Sequence, residues 1–211
     1  MPKPLGLRLF NPFDTPQNTL NSDVLSKVNT KLEVVGVKPI DANNKSSWYT
    51  MGELYEELFC IVCNQNGVNA IVNPNKKEDV KLPDLFVEGQ LSDLKTQATP
   101  FFLSGKYGVK PEKSITFNSK DYRRYKKKYP DINVYWWRGW SKCERFNTKV
   151  KTVKGVWWLP FSDLDKLVQD APEHQYKGRH NGNDFDQSAY ILNSDDFTKL
   201  LIIKNETPKR N

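Results

Sequence analysis

Two aspartates and a lysine lie close together in the sequence and could act on a phosphate ester. Asp84 follows Pro83, and Asp93 precedes Leu94 and Lys95. Carboxylate oxygens are the ligands that hard divalent cations take, and a bound cation neutralises a phosphate and lowers the pKa of its bound water. A nearby amine can orient that water, deprotonate it or stabilise the charge that develops on the phosphate. The residue types indicate metal-assisted hydrolysis, with these three roles of Lys95 left open.

A β-hairpin is the element that must position these side chains. Residues 82–87 and 91–96 are predicted strands, and residues 88–90 connect them. If the first two residues of this connection form the turn, its glycine supplies the positive φ that such turns need. That turn pairs Phe86 with Leu91, whereas a three-residue loop would shift the register by one residue.

The two-residue turn also sets Asp84 opposite Asp93. Their Cβ atoms would lie about 5 Å apart on one face of the hairpin. Lys95 follows Asp93 by two residues and projects from the same face. Two carboxylates this close are destabilising unless a positive charge lies between them, and a divalent cation would supply it.

Hydrophobic periodicity and end signals predict the other elements. Ser46 or Ser47 can cap the first helix, and Asn118 or Ser119 can cap the second, charged helix. The helices are predicted at 47–65, 119–129, 161–169 and 195–201, and further strands at 68–72, 114–117, 132–138, 153–159 and 188–192. This order predicts a mixed α/β domain with a central sheet flanked by helices.

The first 45 residues differ in composition from the rest of the chain. They are rich in Pro, Asn, Ser and Thr and contain a turn-prone run at 11–16. We expect residues 1–45 to form an arm or cover, with a short helix at 22–27 and a strand at 32–37. Residues 46–211 then form the main domain, with a basic insertion near 139–152.

Pro83-Asp84, eight residues, then Asp93-Leu94-Lys95 resembles the PD-(D/E)XK nuclease superfamily. The family includes restriction enzymes, junction resolvases and homing endonucleases, and Asp93 stands where many members have Glu. The resemblance covers roughly residues 47–140, with a looser match over 153–201, and implies a restriction-endonuclease-like core. Residues 1–45 have no recognised counterpart, which leaves the subfamily open.

The resemblance also implies roles for particular residues. Members carry a helix before the metal strands, often with an acidic residue facing the site, and Glu56 matches that position, with Glu53 as its rival one turn earlier. Asp84, Asp93 and Glu56 would hold Mg²⁺, for which Mn²⁺ could substitute. Lys95 would serve the attacking water, and Gln97 would face the same pocket.

The charge of the chain favours a polyanionic partner. The net charge is +7 and the pI is about 9.2, which suits phosphate contacts. The helix at 119–129 carries six lysines and arginines and a single acid, Asp121; its basic face is either an ordinary solvated surface or a phosphate-contacting one. The candidate DNA-binding residues are Arg123, Arg124, Lys127, Arg138, Lys142 and Arg145.

Other conspicuous residues fit structural roles better than chemical ones. The tryptophans at 136–140 and 157–158 are expected mainly in the core, with base stacking as the alternative. Cys60 and Cys63 have CxxC spacing, but they lie in a helix among apolar residues and are expected to be buried rather than zinc-bound. His174 and His180 are isolated.

The sequence therefore predicts a Mg²⁺-dependent DNA endonuclease of the restriction, homing or junction-resolving type. The alternatives are a non-catalytic DNA-binding module on the same fold and an interaction protein whose acidic pair is accidental. A homodimer is plausible because symmetric cleavage of a duplex needs two sites. No membrane span or secretory leader is recognised, so we expect a cytoplasmic protein encoded by a prokaryote or phage.

Overall fold

The computed structural model describes residues 45–79, 81–97, 99–139, 144–145, 148–151, 154–176 and 188–202. Within these ranges the helices are α1 (Lys45–Gln65), α2 (Ser119–Lys128) and α3 (Phe161–Asp170). The strands are β1 (Ala70–Val72), β2 (Leu85–Val87), β3 (Gln90–Gln97), β4 (Ser114–Asn118), β5 (Asn133–Gly139), β6 (Glu144–Arg145), β7 (Thr148–Lys149), β8 (Lys154–Pro160), β9 (Glu173–Gln175), β10 (Ser188–Asn193) and β11 (Thr198–Ile202). The expected arm, including the helix at 22–27 and the strand at 32–37, lies outside the described residues, as do Lys142 and His180.

A mixed sheet of six strands organises the described elements. Its order is β1-β2-β3-β5-β8-β11, with β3 and β5 parallel and every other neighbouring pair antiparallel. α1 packs on one face, and α2, α3 and a three-stranded sheet, β4-β10-β9, pack on the other. The predicted mixed α/β architecture with a central sheet flanked by helices is therefore confirmed.

Alternation along the central strands divides the apolar residues between two cores. Tyr135 of β5 packs in the core beneath α1, whereas Trp136 is fully buried in the core beneath α2 and α3. Trp157 of β8 joins the second core, and Trp137 and Trp158 pack against the first. The expectation that the tryptophans pack internally is confirmed for these four rings.

The hairpin between β2 and β3 has the predicted turn. Glu88 and Gly89 are its central residues, with φ of 50° and 75°, the left-handed values that a two-residue turn of this kind needs at both positions. The strands pair Phe86 with Leu91 and Val87 with Gln90. The predicted register is therefore confirmed, although β2 begins at Leu85 instead of residue 82.

Strand β3 sends chemically different side chains to its two faces. Leu94 packs in the core beneath α1. Its neighbours Asp93 and Lys95 project to the opposite face, where α2 lies, since they align with Val134 and Trp136 of the parallel strand β5. The strand thus places one carboxylate and one amine between the sheet and α2.

The prediction of a helix at 195–201 is wrong. Asn193 accepts a hydrogen bond from the Asp195 backbone N–H and opens a single 3-10 turn over Ser194–Asp196. β11 follows and pairs antiparallel with β8 at the sheet edge, with a bulge between Lys199 and Leu201. The edge of β8 offers unpaired backbone groups, and pairing with them outweighs local helix propensity.

The helix α1 carries the two cysteines of the CxxC sequence. Cys60 and Cys63 are buried free thiols in the core between α1 and the sheet. Burial raises the pKa of Cys60 to about 11 and raises the pKa of Cys63 as well. The expected burial of the pair is confirmed.

Among the helices described, none has the length and apolar character needed to cross a membrane.

Gly89→Ala tests the turn that sets the hairpin register. An added Cβ meets nothing within 4 Å, so the penalty comes from the positive φ alone. We expect the free energy of unfolding, measured by urea denaturation, to fall by about 1 kcal/mol. Gly105→Ala is the matched control, because that glycine also has open space but no left-handed φ, and its stability should not fall. Equal stabilities for the two variants would contradict this account of the turn.

Candidate functional site

Asp84 lies where β2 begins and is held by both the backbone and a side chain. Its Oδ2 accepts a hydrogen bond of 3.1 Å from the Leu94 backbone N–H. The carboxylate therefore bonds to the backbone of β3 at the position just before β2 begins. The Asp84 carbonyl accepts a bond from the Asn73 N–H, which ties it to the preceding loop. The Asp84 carboxylate is therefore fixed beside β3 rather than free in solvent.

Lys76 joins Asp84 to Glu56. Its ammonium donates to Asp84 Oδ1 and to Glu56 Oε1, and its side chain is only 17 % exposed. Lys76 comes from a 3-10 turn over Pro74–Lys77, where the Asn73 side chain caps the N-terminus. Burial lowers the pKa of Lys76, but the two carboxylates outweigh burial and raise it. One lysine cation is thus shared by two carboxylates.

Glu56 is the acidic residue of α1 that faces the site. It is 6 % exposed, whereas Glu53 is exposed to solvent. Burial and the neighbouring Asp84 charge raise the pKa of Glu56 to about 7, against the opposing effect of Lys76. Of the two acidic residues considered for this position, Glu56 therefore faces the cluster and Glu53 faces solvent.

Asp93 is the most deeply buried carboxylate of the site. It is 1 % exposed, and burial raises its pKa, with Lys95 opposing and Asp84 adding to the increase. Lys95 Nζ lies 2.7 Å from Oδ2, off the direction of a well-formed hydrogen bond, and Arg124 Nη2 lies 3.7 Å from Oδ1. Leu94, whose N–H bonds Asp84, lies between Asp93 and Lys95 on β3, so the two halves of the site are adjacent along this strand.

Helix α2 closes the site from above the sheet. Asp121 lies 2.8 Å from Lys95 and 3.3 Å from Arg124. Arg124 also donates to the hydroxyl of the buried Tyr125 at 3.0 Å, and both cations lie over the Tyr125 ring, Lys95 at 5.4 Å and Arg124 at 4.8 Å. Asp93, Lys95, Asp121 and Arg124 thus form one ring of alternating charge.

Sequence reasoning missed three of these residues. Asp121 is the single acid of a basic helix, and Tyr125 lies four residues later on the same side, so their spacing was a usable signal. Lys76 had no comparable signal, because neighbouring Lys77 is exposed and nothing in the sequence distinguishes the two. Asn118 caps α2 by accepting from the Lys120 N–H, as one of the two predicted caps.

Gln97 lies on the same strand but apart from the carboxylates. Its Nε2 donates to the Thr99 carbonyl at 3.0 Å and to the Ser114 carbonyl at 3.2 Å. These bonds hold the amide against the segment that follows β3, where Gln97 lines a separate cavity. The structure therefore joins Glu56 to Asp84 through Lys76 and pairs Asp93 with Lys95. Gln97 lines a different cavity, which differs from the expectation that it faces the pocket of the carboxylates.

The expected DNA-binding residues fall into different environments. Arg123 and Lys127 are exposed on α2, and Arg145 is exposed on the ribbon formed by β6 and β7. Arg124 belongs to the charged ring. Arg138 is only 1 % exposed, donates to the Glu112 carbonyl and lies 4.5 Å from the Trp157 ring. Because Arg138 is buried, it is not exposed for DNA to contact, in contrast to the expectation from the sequence.

The carboxylates have the chemistry of a magnesium site, but cations of the chain partner them here. Hard oxygen donors suit Mg²⁺, and Glu56 and Asp84 already converge on one ammonium. Over the part of the chain that the structure describes, no three His, Cys, Asp or Glu side chains are grouped closely enough to hold a metal ion by themselves. The donor types therefore fit Mg²⁺, and Lys76 is the cation that any metal must compete with.

Comparison with protein-family models, with curated proteins and with solved structures finds no significant match to this chain. The chemistry of the site is therefore inferred from its own residues and their geometry.

Glu56→Gln tests the environment of the buried carboxyl. With an ordinary pKa of 4.5 raised to about 7 in the fold, the folded chain holds a proton that the unfolded chain releases between those values. The contribution of the protonated Glu56 carboxyl to the free energy of unfolding is complete below pH 4.5 and is lost as the pH rises through about 7. We expect the variant to gain roughly 1 to 3 kcal/mol relative to wild type over this range, measured by urea denaturation in EDTA.

Glu53→Gln is the control for that experiment. It removes a charge from the solvent-exposed side of the same helix, and its stability relative to wild type should stay level across the same pH range. A Glu56→Gln profile parallel to wild type would show that the carboxyl does not titrate in a buried environment.

Proposed function

We propose that the chain is a metal-dependent endonuclease that hydrolyses DNA phosphodiester bonds, of the PD-(D/E)XK type. One observation carries this proposal. Asp84 accepts from the N–H of Leu94, the residue after Asp93, Lys95 lies beside Asp93, and Lys76 contacts both Asp84 and Glu56. Glu56, Asp84, Asp93 and Lys95 are four of the five residues that the sequence resemblance places at the reaction centre.

The order of the elements supports a restriction-endonuclease-like core. α1 precedes the strands that carry the acids, and β1, β2 and β3 follow as an antiparallel meander. The resemblance matches the helix predicted at 119–129 and the strand predicted at 132–138 to the family's second helix and fourth strand, and α2 and β5 lie at these places in the chain. β5 lies parallel to β3, so the catalytic strand is central to the sheet and covered on both faces.

Asp84, Asp93 and Glu56 would supply the ligands of Mg²⁺ once Lys76 is displaced and the carboxylates move closer together, and Mn²⁺ could replace it. When bound, the metal would neutralise the scissile phosphate and lower the pKa of a water. Burial lowers the pKa of Lys95, but Asp93, Tyr125 and Asp121 outweigh burial and raise it well above its usual value. Lys95 would orient the attacking water, deprotonate it or stabilise the charge that develops on the phosphate.

Exposed basic residues beside the site support a DNA ligand. Arg123 and Lys127 face solvent on α2, the helix whose Asp121 contacts Lys95. Arg145 on the β6–β7 ribbon supplies a further exposed cation. Phosphate contacts of this kind fix a nucleic-acid backbone without reading its sequence. A homodimer would bring two such sites to the two strands of a duplex.

A non-catalytic DNA-binding module on the same fold is the second candidate. Lys76 favours it, because this ammonium already offsets part of the charge of Glu56 and Asp84. Asp93 is likewise paired with Lys95 and Arg124. A cluster whose carboxylates are paired with cations of the chain can hold the hairpin, α1 and α2 together without a metal.

Cleavage is the direct test of the proposed activity. Supercoiled plasmid and a branched DNA junction are incubated with Mg²⁺ or Mn²⁺ and wild type, Asp93→Asn or Lys95→Gln. We expect wild type to cut and each variant to lose at least about 100-fold in rate, because each removes a charge from the reaction centre. DNA binding by the two variants, measured in EDTA, should persist.

Lys127→Gln is the control for the cleavage assay. It removes an exposed charge outside the charged ring, so it should weaken binding slightly and leave the rate at saturating DNA unchanged. Equal behaviour of wild type, Asp93→Asn and Lys95→Gln, whether all cut or none does, would refute the proposed site.

Lys76→Met separates a metal site from a structural ion-pair cluster without any activity assay. Removing the ammonium leaves Glu56 and Asp84 unbalanced, so we expect the free energy of unfolding in EDTA to fall by about 1 to 3 kcal/mol. Mg²⁺ or Mn²⁺ should restore this stability, and restore it more in the variant than in wild type, because a metal bound only by the folded chain stabilises it.

Lys77→Met is the matched control, since Lys77 is the exposed neighbour in the same turn. It should change the unfolding free energy by less than about 0.5 kcal/mol. If no divalent ion stabilises either wild type or Lys76→Met, the cluster is an ion-pair network and the non-catalytic candidate is favoured.

A further inference from the structure

A cavity of about 420 Å³ opens at the end of β3, beyond the charged ring. Its walls include Gln97, Phe101, Phe102 and Tyr176, and Arg145 contributes to its lining. Gln97 follows Lys95 by two residues on the same strand, so the cavity begins about 7 Å along the strand from the Lys95 position. Its volume lies within the range of pockets that bind small ligands.

Phe101 and Tyr176 line this cavity, and the rings of Tyr107 and His174 pack against them. Phe101 stacks on Tyr107 with ring centres 6.3 Å apart and planes 28° apart, and it lies 4.9 Å from the His174 ring and 6.4 Å from the Tyr176 ring. The Tyr107 hydroxyl and His174 Nδ1 are 2.6 Å apart and share a hydrogen bond. Tyr176 packs edge-on against His174. These contacts hold the rings in place before any ligand binds.

Part of this aromatic lining is open to solvent. Tyr176 is 39 % exposed, and with Ile71 it is one of two large apolar side chains exposed within the described segments. Phe101 and Phe102 are half-buried. A rigid aromatic surface that faces an open cavity suits a planar ligand, because stacking is favourable for any flat π-system.

The surrounding charge selects among planar ligands. Arg145 lines the same cavity. A planar group attached to a phosphate would contact the rings and this cation together. A nucleotide has this combination, and its base can reach the rings only if it is not paired within a duplex.

We propose that this cavity binds one unpaired nucleobase of the DNA strand whose backbone passes the site at Asp93 and Lys95. The ligand class is single-stranded, bulged or branched DNA. This inference rests on the proposed function for the identity of the polymer. It goes beyond that function by naming a substrate feature, because a fully paired duplex cannot fill the cavity.

The test measures binding in EDTA, where no metal-dependent cleavage occurs. A 2-aminopurine base is placed in a single strand, in a bulge and in a fully paired duplex, and its fluorescence and the dissociation constants are measured. Wild type should quench the unpaired base. Tyr176→Leu, which removes the ring but keeps apolar bulk, should weaken binding of the single strand and bulge by roughly 5- to 100-fold. Its affinity for the duplex should not change.

Two controls separate loss of the ring from other effects. Tyr176→Phe keeps the ring and should bind unpaired DNA as wild type does. Ile71→Ala removes an exposed apolar side chain on β1, at the far edge of the sheet, and should bind normally. Circular dichroism checks that Tyr176→Leu is folded.

Failure of this inference can be distinguished from failure of the proposed function. If Tyr176→Leu and Tyr176→Phe bind all three DNAs alike, or if no single strand binds, the cavity is not a base-binding site, whatever the cleavage assay gives. If binding depends on the ring and wild type cuts nothing, the cavity assignment stands and only the nuclease activity is lost.

Discussion

The burial of the Asp93 carboxylate is the constraint on which the arrangement around it depends. A carboxylate with 1 % of its surface exposed cannot stay charged in a protein interior without cations close by. Lys95 and Arg124 supply them, one from β3 and one from α2. Asp121 then balances the excess positive charge. This closed ring of charges holds α2 against the sheet at that position and turns Asp121 and Arg124 of this basic helix toward Asp93 and Lys95.

The internal use of cations changes what the net charge of +7 means. Lys76, Lys95 and Arg124 contact carboxylates of the chain, and Arg138 is buried against Trp157 and the Glu112 carbonyl. These four positive charges therefore serve the fold first. Arg123 and Lys127 face solvent on α2, where they can contact a polyanion. The same ion pairs bear on both candidate functions. A cation of the chain that pairs with a carboxylate competes with a metal for that carboxylate, which a nuclease would have to overcome and a non-catalytic module would not.

Strand β3 connects the features that bear on function. Leu94 anchors it to α1, Asp93 and Lys95 face α2, and Gln97 lines the aromatic cavity at its end. Because β3 is paired on both sides, parallel to β5 and antiparallel to β2, its side chains are held in register with both cores. Gln97 follows Lys95 by two residues, so the cavity and the Asp93–Lys95 pair occupy neighbouring positions of one strand, which is the geometric basis for proposing one substrate for both.

The sequence by itself determined the parts of this protein that depend on near neighbours in the chain. A two-residue turn at Gly89 and the two-residue alternation of strands were enough to bring Asp84, Asp93 and Lys95 to one hairpin, and Asn118 was recognisable as a helix cap. Only the tertiary structure decided the rest: that Lys76 bridges Glu56 and Asp84, that Arg138 is buried, and that the segment after Phe197 becomes an edge strand. Each of these outcomes depends on which distant segment lies alongside. Packing and pairing between segments far apart in sequence outweigh the local preferences that a sequence pattern expresses.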